Sequence, residues 1–252
     1  MDIVAEVPWL FLLIAGLGGY LQTVTGFGLG MVVMGLAGGL EVASVATVAA
    51  VISLMLLINC VVALPGRLQH IEWPSAGAVM VGVVPSILAG VAMLHYLSDE
   101  ASSVLRVVLG GVILYGAAGL LLKPTHQAHV ASPASFTLFG GFSGFLGGLL
   151  GIAGPPLIYH YYRQPLPPAR IRNTLILLFA VTAGMRTLFI AVQGQLSLDI
   201  LALVGWSLPA VVAATWVGRR WPPPLSALAM RRLVFAMLMI IGASLIAAGL
   251  TF

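Results

Sequence analysis

From Val7 to Leu40 the chain runs 34 residues without a charged side chain, and Pro124–Tyr162 is a second such stretch. A water-facing surface cannot be built that way. Ordinary soluble domains carry about 25% charged residues, whereas 7% of these 252 are charged and 60% are hydrophobic. A soluble globular fold is excluded, and so is disorder, which needs a polar excess. About 20 apolar residues cross a hydrocarbon core of ~30 Å, so roughly eight spans fill this length. As one straight helix, 34 residues would run about 51 Å, so each long stretch has to break. Glycine clusters near their middles supply the break. Each stretch reads as a hairpin of two short segments that enter and return on the same side.

The resulting fold class is all-α integral membrane, with two inverted repeats, each a broken-helix hairpin plus three transmembrane helices. Residues 1–122 form the first repeat, with a hairpin at 7–40 and spans at 42–66, 73–98 and 102–122. A cytoplasmic linker occupies 123–133. The second repeat, 134–252, has a hairpin at 134–162 and spans at 171–193, 200–218 and 233–252. Matches in common order support a duplication. Gly18-Gly19-Tyr20 pairs with Gly140-Gly141-Phe142, and Gly26-Phe27-Gly28 with Gly151-Ile152-Ala153. Pro85 pairs with Pro209 and Arg106 with Arg232.

Charge sets the orientation. With the N-terminus outside and an even number of crossings per hairpin, Arg67, Lys123, Arg163, Arg170, Arg172, Arg219, Arg220, Arg231 and Arg232 all fall inside. Asp2, Glu6, Glu41, Asp99, Glu100 and Asp199 fall outside, with Glu72 the exception. An odd second hairpin would put the arginines from Arg163 onward, Arg186 apart, on the wrong side under the positive-inside rule. Each half then crosses an odd number of times, so the halves are inverted, a transporter architecture. Both termini are expected outside an inner membrane. The net charge of +4 reflects those inner loops, and no basic stripe with interleaved aromatics suggests nucleic acid. Met1–Glu6 has no basic n-region, so no cleaved signal peptide is expected. Cys60, the single cysteine, has no internal partner.

Irregular backbone at membrane depth is tolerated only inside protein or beside a watery cavity, which makes the two breaks the first candidates for a site. Thr25 is expected to cap a helix starting at Gly26, with Phe27 and Gly28 in its first turn. The second break, through Gly151 and Gly154, ends at Pro155-Pro156, a proline pair suited to a helix start. Both helix starts would aim positive dipole ends at the protein centre, where an anion is favoured. The competing reading is packing, since Gly26-x-x-x-Gly30 and Gly147-x-x-x-Gly151 also fit helix contacts. Arg186 lies deep in its span with no acid at similar depth. It either meets an anionic ligand or turns to the interface or to carbonyls. Its counterpart in the first half is Asn59, and the pair is expected to flank the substrate path. Asn173, with Thr174, either caps its helix or lines the cavity.

No acid lies centrally in a span, so coupling by Asp or Glu is not expected, and His160 is the remaining side chain for a proton relay. A channel or uniporter is the alternative to a carrier. An intramembrane serine protease is the second alternative, on Gly141-Phe142-Ser143-Gly144, which resembles the Gly-x-Ser-Gly of rhomboid proteases. HExxH and Walker motifs are absent, His126-x-x-His129 is too sparse for zinc, and no metal or cofactor is expected.

These residues carry a family resemblance over essentially the whole chain. Gly26-Phe27-Gly28 is similar to the early glycine motif of the TauE/SafE, or sulfite exporter, family, and Gly147–Pro155 to its repeat. Arg170-Ile171-Arg172-Asn173-Thr174 resembles the stretch that follows it. Ala153 stands where the family often has glycine, and Pro155-Pro156 stiffens that turn. The resemblance implies a secondary carrier of small anions, such as sulfite, organosulfonates or related carboxylates. Its partners are then the anionic substrate and the bilayer, with a homodimer left open.

Overall fold

A computed structural model describes residues 8–39, 44–98, 107–108, 110–115, 127–224 and 227–250. The described residues are helical apart from short connections, without strands. In chain order the helices are α1 (Pro8–Thr25), α2 (Leu29–Gly39), α3 (Val45–Ala63), α4 (Trp73–Ser98), α5 (Pro133–Leu150), α6 (Gly154–Tyr162), α7 (Pro168–Val192), α8 (Leu198–Arg220) and α9 (Ala227–Leu250). Residues 107–108 and 110–115 are also helical, but most of the expected 102–122 span, Arg106 included, lies outside the described residues. So do Lys123 and the start of the linker. Five helices, α3, α4 (through Leu94), α5, α7 and α8, are long and apolar enough to cross a membrane. All five tryptophans are exposed on the surface. The chain is a multi-pass membrane protein.

Sequence explains most helix starts. Ser44, Ser132 and Ser197 precede α3, α5 and α8, and each hydroxyl accepts an amide of the first turn. For α7 the start is Pro168 rather than Ile171, because a proline pair supplies the last extended residue and the first helical one. Asn173 and Thr174 therefore lie inside α7 and do not cap it. Thr174 Oγ1 instead accepts the Glu72 amide at 2.9 Å.

Both long charge-free stretches are broken at their glycines. α1 ends at Thr25 and α2 starts at Leu29, with Gly26 at φ +89° and Gly28 at φ +118°. α5 ends at Leu150 and α6 starts at Gly154, with Gly151 at φ +69°. Left-handed backbone of this kind is cheap for glycine and costs other L-residues about 1–2 kcal/mol. The second arms fold back on the first. A Cβ on Gly18 would lie 3.2 Å from Leu29 Cα, and the His160 ring lies 4.6 Å from that of Phe136. With 11 and 9 residues, α2 and α6 rise only about 16 and 14 Å. Neither arm crosses a hydrocarbon core by itself.

The two hairpins exchange partners. α5, the first arm of the second hairpin, packs on α4 through a seam of small residues. Gly82, Ser86 and Gly90 face Gly140, Gly144 and Gly148, and a Cβ on any of the five glycines would overlap the opposite helix. α1 packs in the same way on α8, with Gly16 and Gly19 against Ala210 and Val211, and Gly218 against Tyr20. In lipid such close approach supplies the packing that drives helix association. α4 and α8 also share an internal proline, Pro85 and Pro209.

Candidate functional site

The two breaks meet. A Cβ on Gly30 would lie 3.1 Å from the Gly151 carbonyl oxygen, and one on Gly154 would lie 3.3 Å from Met31 Cε. At the other end of α6, the Tyr162 hydroxyl donates to the Thr25 carbonyl at 2.9 Å. α6 thus begins beside the first turn of α2, and the side chain of its last residue reaches back to the end of α1. Between them is a void of about 20 Å³, lined by Gln22, Gly28, Gly30, Met31, Leu56, Gly151, Ile152, Ala153, Gly154 and Phe179. That is room for about one water. The amides of Gly30, Met31, Ile152, Ala153 and Gly154 have no protein acceptor among the described residues. Positive helix ends and free N–H groups therefore converge on one point. Pro155 and Pro156 add no donors there, since proline has no N–H.

The first break is held by Gln22 rather than Thr25. Gln22 Oε1 accepts the Leu29 amide at 3.2 Å, and its Nε2 donates to the Gly26 carbonyl at 3.3 Å. One side chain thus caps α2 and ties it to the end of α1. Thr25 is the last residue of α1, not a cap for a helix at Gly26, and its hydroxyl lies 2.7 Å from both the Leu21 and Phe27 carbonyls. Gly26 rests on α7, where its Cβ would be 2.9 Å from Arg172 Cα. Phe27 is fully buried, stacked on Phe235 at 5.2 Å and edge-on to Tyr162 at 6.1 Å. Of the residues expected at the breaks, Gly28, Gly151 and Gly154 line the void. Thr25, Gly26, Phe27, Pro155 and Pro156 are not among its lining residues.

A larger cavity, about 270 Å³, lies beside it, lined by Ala46, Thr47, Ala50, Val91, Leu94, Arg186, Ile190, Gln195, Ser197 and Ile200. Arg186 is 2% exposed. Its Nε donates to the Gly148 carbonyl at 3.1 Å, in the last turn of α5, while its Nη1 is buried without a partner. The carbonyl at the negative end of a broken helix favours this charge, and among the described residues no acid pairs with it. Arg186 thus turns one edge of its guanidinium to a carbonyl and is at the same time a lining residue of the cavity. The wall between cavity and void is thin. Ala50 lines the cavity, and its neighbour Ala49 meets Gly151, whose Cβ would be 3.0 Å from Ala49 Cα.

Asn59 lies elsewhere. Its Nδ2 donates among Thr23 Oγ1 and Thr215 Oγ1, each at 2.8 Å, and the Gly19 carbonyl at 3.3 Å. It clasps α1, α3 and α8 and lines neither the void nor the Arg186 cavity. Asn173 is buried with Oδ1 unpartnered and also lines neither. Sequence reading missed Thr47, Gln195, Ser197 and Phe179; only the polarity of Gln195 and Ser197 beside a span end hinted at a role.

Ser143 is fully buried and its hydroxyl donates to the Ala153 carbonyl, bracing the second break. The His160 ring stacks on Phe139 at 4.3 Å, and its Nε2 lies 3.5 Å from Ser135 Oγ, not near Ser143. His160 is thus not the partner of Ser143, the serine of the protease-like motif, as that mechanism would require.

The family model described as Sulfite exporter TauE/SafE matches residues 11–245. A relative from Cupriavidus necator, described as a probable sulfite/organosulfonate exporter TauE, is 49% identical over 230 residues, covering 91% of this chain and 90% of the relative. No solved structure matches the chain. The intramembrane-protease alternative falls away, and the chain belongs to the TauE/SafE sulfite exporter family of membrane transporters.

Proposed function

We propose that this transporter exports sulfite and small organosulfonates across an inner membrane by alternating access between two inverted halves. The observation that carries the reading is the meeting of the two half-helix starts beside a cavity lined by Arg186. A sulfite or sulfonate group presents several anionic oxygens, and a guanidinium with a free Nη end suits them. The cavity, at about 270 Å³, suits a small solute. The exchange of partners, α1 with α8 and α5 with α4, supports the inverted duplication, because α1 corresponds to α5 and α8 to α4. Glu72, which broke the charge count, faces Arg170 across 3.0 Å and so belongs with the inner basic loops. Both termini then lie outside, and the cavity beside Gln195 and Ser197 opens outward.

A carrier is favoured over a channel. The void between the half-helices admits about one water, and it shares no lining residue with the Arg186 cavity. Passage therefore requires one half to rock against the other. Sulfite counterflow in proteoliposomes tests this. Labelled sulfite entry should accelerate when unlabelled sulfite is loaded on the opposite side. Flux that is indifferent to the opposite side would mark a pore, and absence of sulfite flux would refute the substrate.

A further inference from the structure

Three residues of α7 stand seven apart: Arg172, Phe179 and Arg186. Seven residues advance a helix by ~10.5 Å with only ~20° of drift, so the three share one face. Phe179 lines the central void and Arg186 the cavity on one side of it. Arg172 occupies the opposite side, against Gly26 of the first break. Its Nε is buried without a partner. One turn further along α7, Ile176 packs on Ala63 and Leu64, which lead into the loop bearing Arg67. Arg219 binds that same loop, donating to the Val62 carbonyl at 2.8 Å and the Pro65 carbonyl at 2.6 Å. Its two terminal nitrogens are thus engaged, whereas the Arg67 side chain has no protein hydrogen bond among the described residues. Burial, then the charges of Arg172 and Arg219, pulls Arg67 below its ordinary value. The acid of this end, Glu72, is engaged by Arg170. Among the described residues, cations are gathered here with no further anion to match them.

We propose that Arg172 and Arg67 form a second oxoanion site, at the end of α7 opposite the Arg186 cavity, so that cargo passes between two guanidinium stations with the closed void between them. This rests on the reading of the chain as an exporter of sulfur oxoanions. The same chemistry would also take a lipid phosphate, and the test separates the two sources.

Labelled sulfite uptake is measured in right-side-out and inverted membrane vesicles, for the wild type, Arg67→Gln, Arg172→Gln and Arg186→Gln. Losing a charge-assisted hydrogen bond costs about tenfold or more in affinity. Arg67→Gln and Arg172→Gln should each raise the half-saturating sulfite concentration about tenfold when sulfite is presented on the Arg67 side. Arg186→Gln should do so on the other side. Equal shifts on both sides, or none in either variant, would overturn the second station. Arg67 lies in a surface loop, so its variant answers even if Arg172→Gln fails to fold. Reconstitution in phosphatidylcholine, with and without phosphatidylglycerol, follows. An Arg67→Gln effect that appears only with the anionic lipid assigns the cluster to headgroups and overturns the cargo site. If the wild type moves no sulfite, the functional reading fails. The site is then judged by thermal shift with sulfite, which must be present in the wild type and lost in both variants.

Discussion

Arg186 has one guanidinium edge committed to the Gly148 carbonyl and a free Nη1. That division makes a sharp expectation. Arg186→Gln should raise the sulfite concentration for half-maximal counterflow by about tenfold to a hundredfold, the worth of a charge-assisted hydrogen bond. Arg186→Lys should rescue only in part, since an ammonium cannot hold the carbonyl and an oxoanion through a planar fork. Full rescue by lysine would mean that charge alone matters there. Gly26 is the complementary case, where geometry rather than charge decides. A Cβ would be forced into left-handed backbone at φ +89° and lie 2.9 Å from Arg172 Cα. Gly26→Ala should cost at least about 1–2 kcal/mol and lower the Tm in detergent. An unchanged Tm would show that the break can relax away from α7. Both breaks were legible in the sequence because glycine clusters in a charge-free stretch have few other uses. Gln22 was not, since its role depends on where α2 starts, and that start falls three residues beyond Gly26.

At the scale of elements, the same helix does two jobs with interleaved residues. On α5, Gly140, Gly144 and Gly148 make the seam with α4, while Gly147, and Gly151 just past the helix end, serve the break. The sequence shows one glycine-rich run and cannot sort adjacent members by direction, because the partner α4 lies in the other half of the chain. Gly144→Leu should therefore disrupt the α4–α5 seam and abolish a monodisperse size-exclusion peak. Gly141→Leu, whose Cβ meets no atom closer than 3.9 Å, should keep it. Asn59 teaches the same lesson. Its position was read from the repeat offset, but its partners come from α1 and α8, and the three oxygens around Nδ2 make it a clasp. Hydrogen bonds between membrane helices are worth about 0.6 kcal/mol on average and up to ~1.7. Asn59→Leu should lower the Tm modestly and leave sulfite half-saturation unchanged. A shift in half-saturation would return Asn59 to the substrate path.

For the whole molecule, the decisive property is which ends of the helices face which compartment. The loop carrying Gln69 and the loop carrying Gln193 join opposite ends of the helix set, and both residues are exposed. Nine basic residues assigned to one side leave little freedom under the positive-inside rule. With Cys60 replaced by alanine, Gln193→Cys in intact cells should react with a membrane-impermeant maleimide, and Gln69→Cys should react only after the membrane is opened. The reverse pattern would turn the protein over and place the Arg186 cavity on the cytoplasmic side. A second step reaches the mechanism. Thr47 lines the Arg186 cavity and stands outside the central void. Thr47→Cys should label from the Gln193 side in the resting protein, because that cavity is open there while the void is closed. Sulfite at saturating concentration should slow the labelling, either by filling the cavity or by drawing the halves toward the opposite-facing state. Carrying out the reaction with Arg186→Gln separates those causes. If occupancy at Arg186 is what protects Thr47→Cys, the variant needs about tenfold more sulfite for the same protection. Labelling that ignores sulfite in both backgrounds would place the transported anion somewhere other than this cavity.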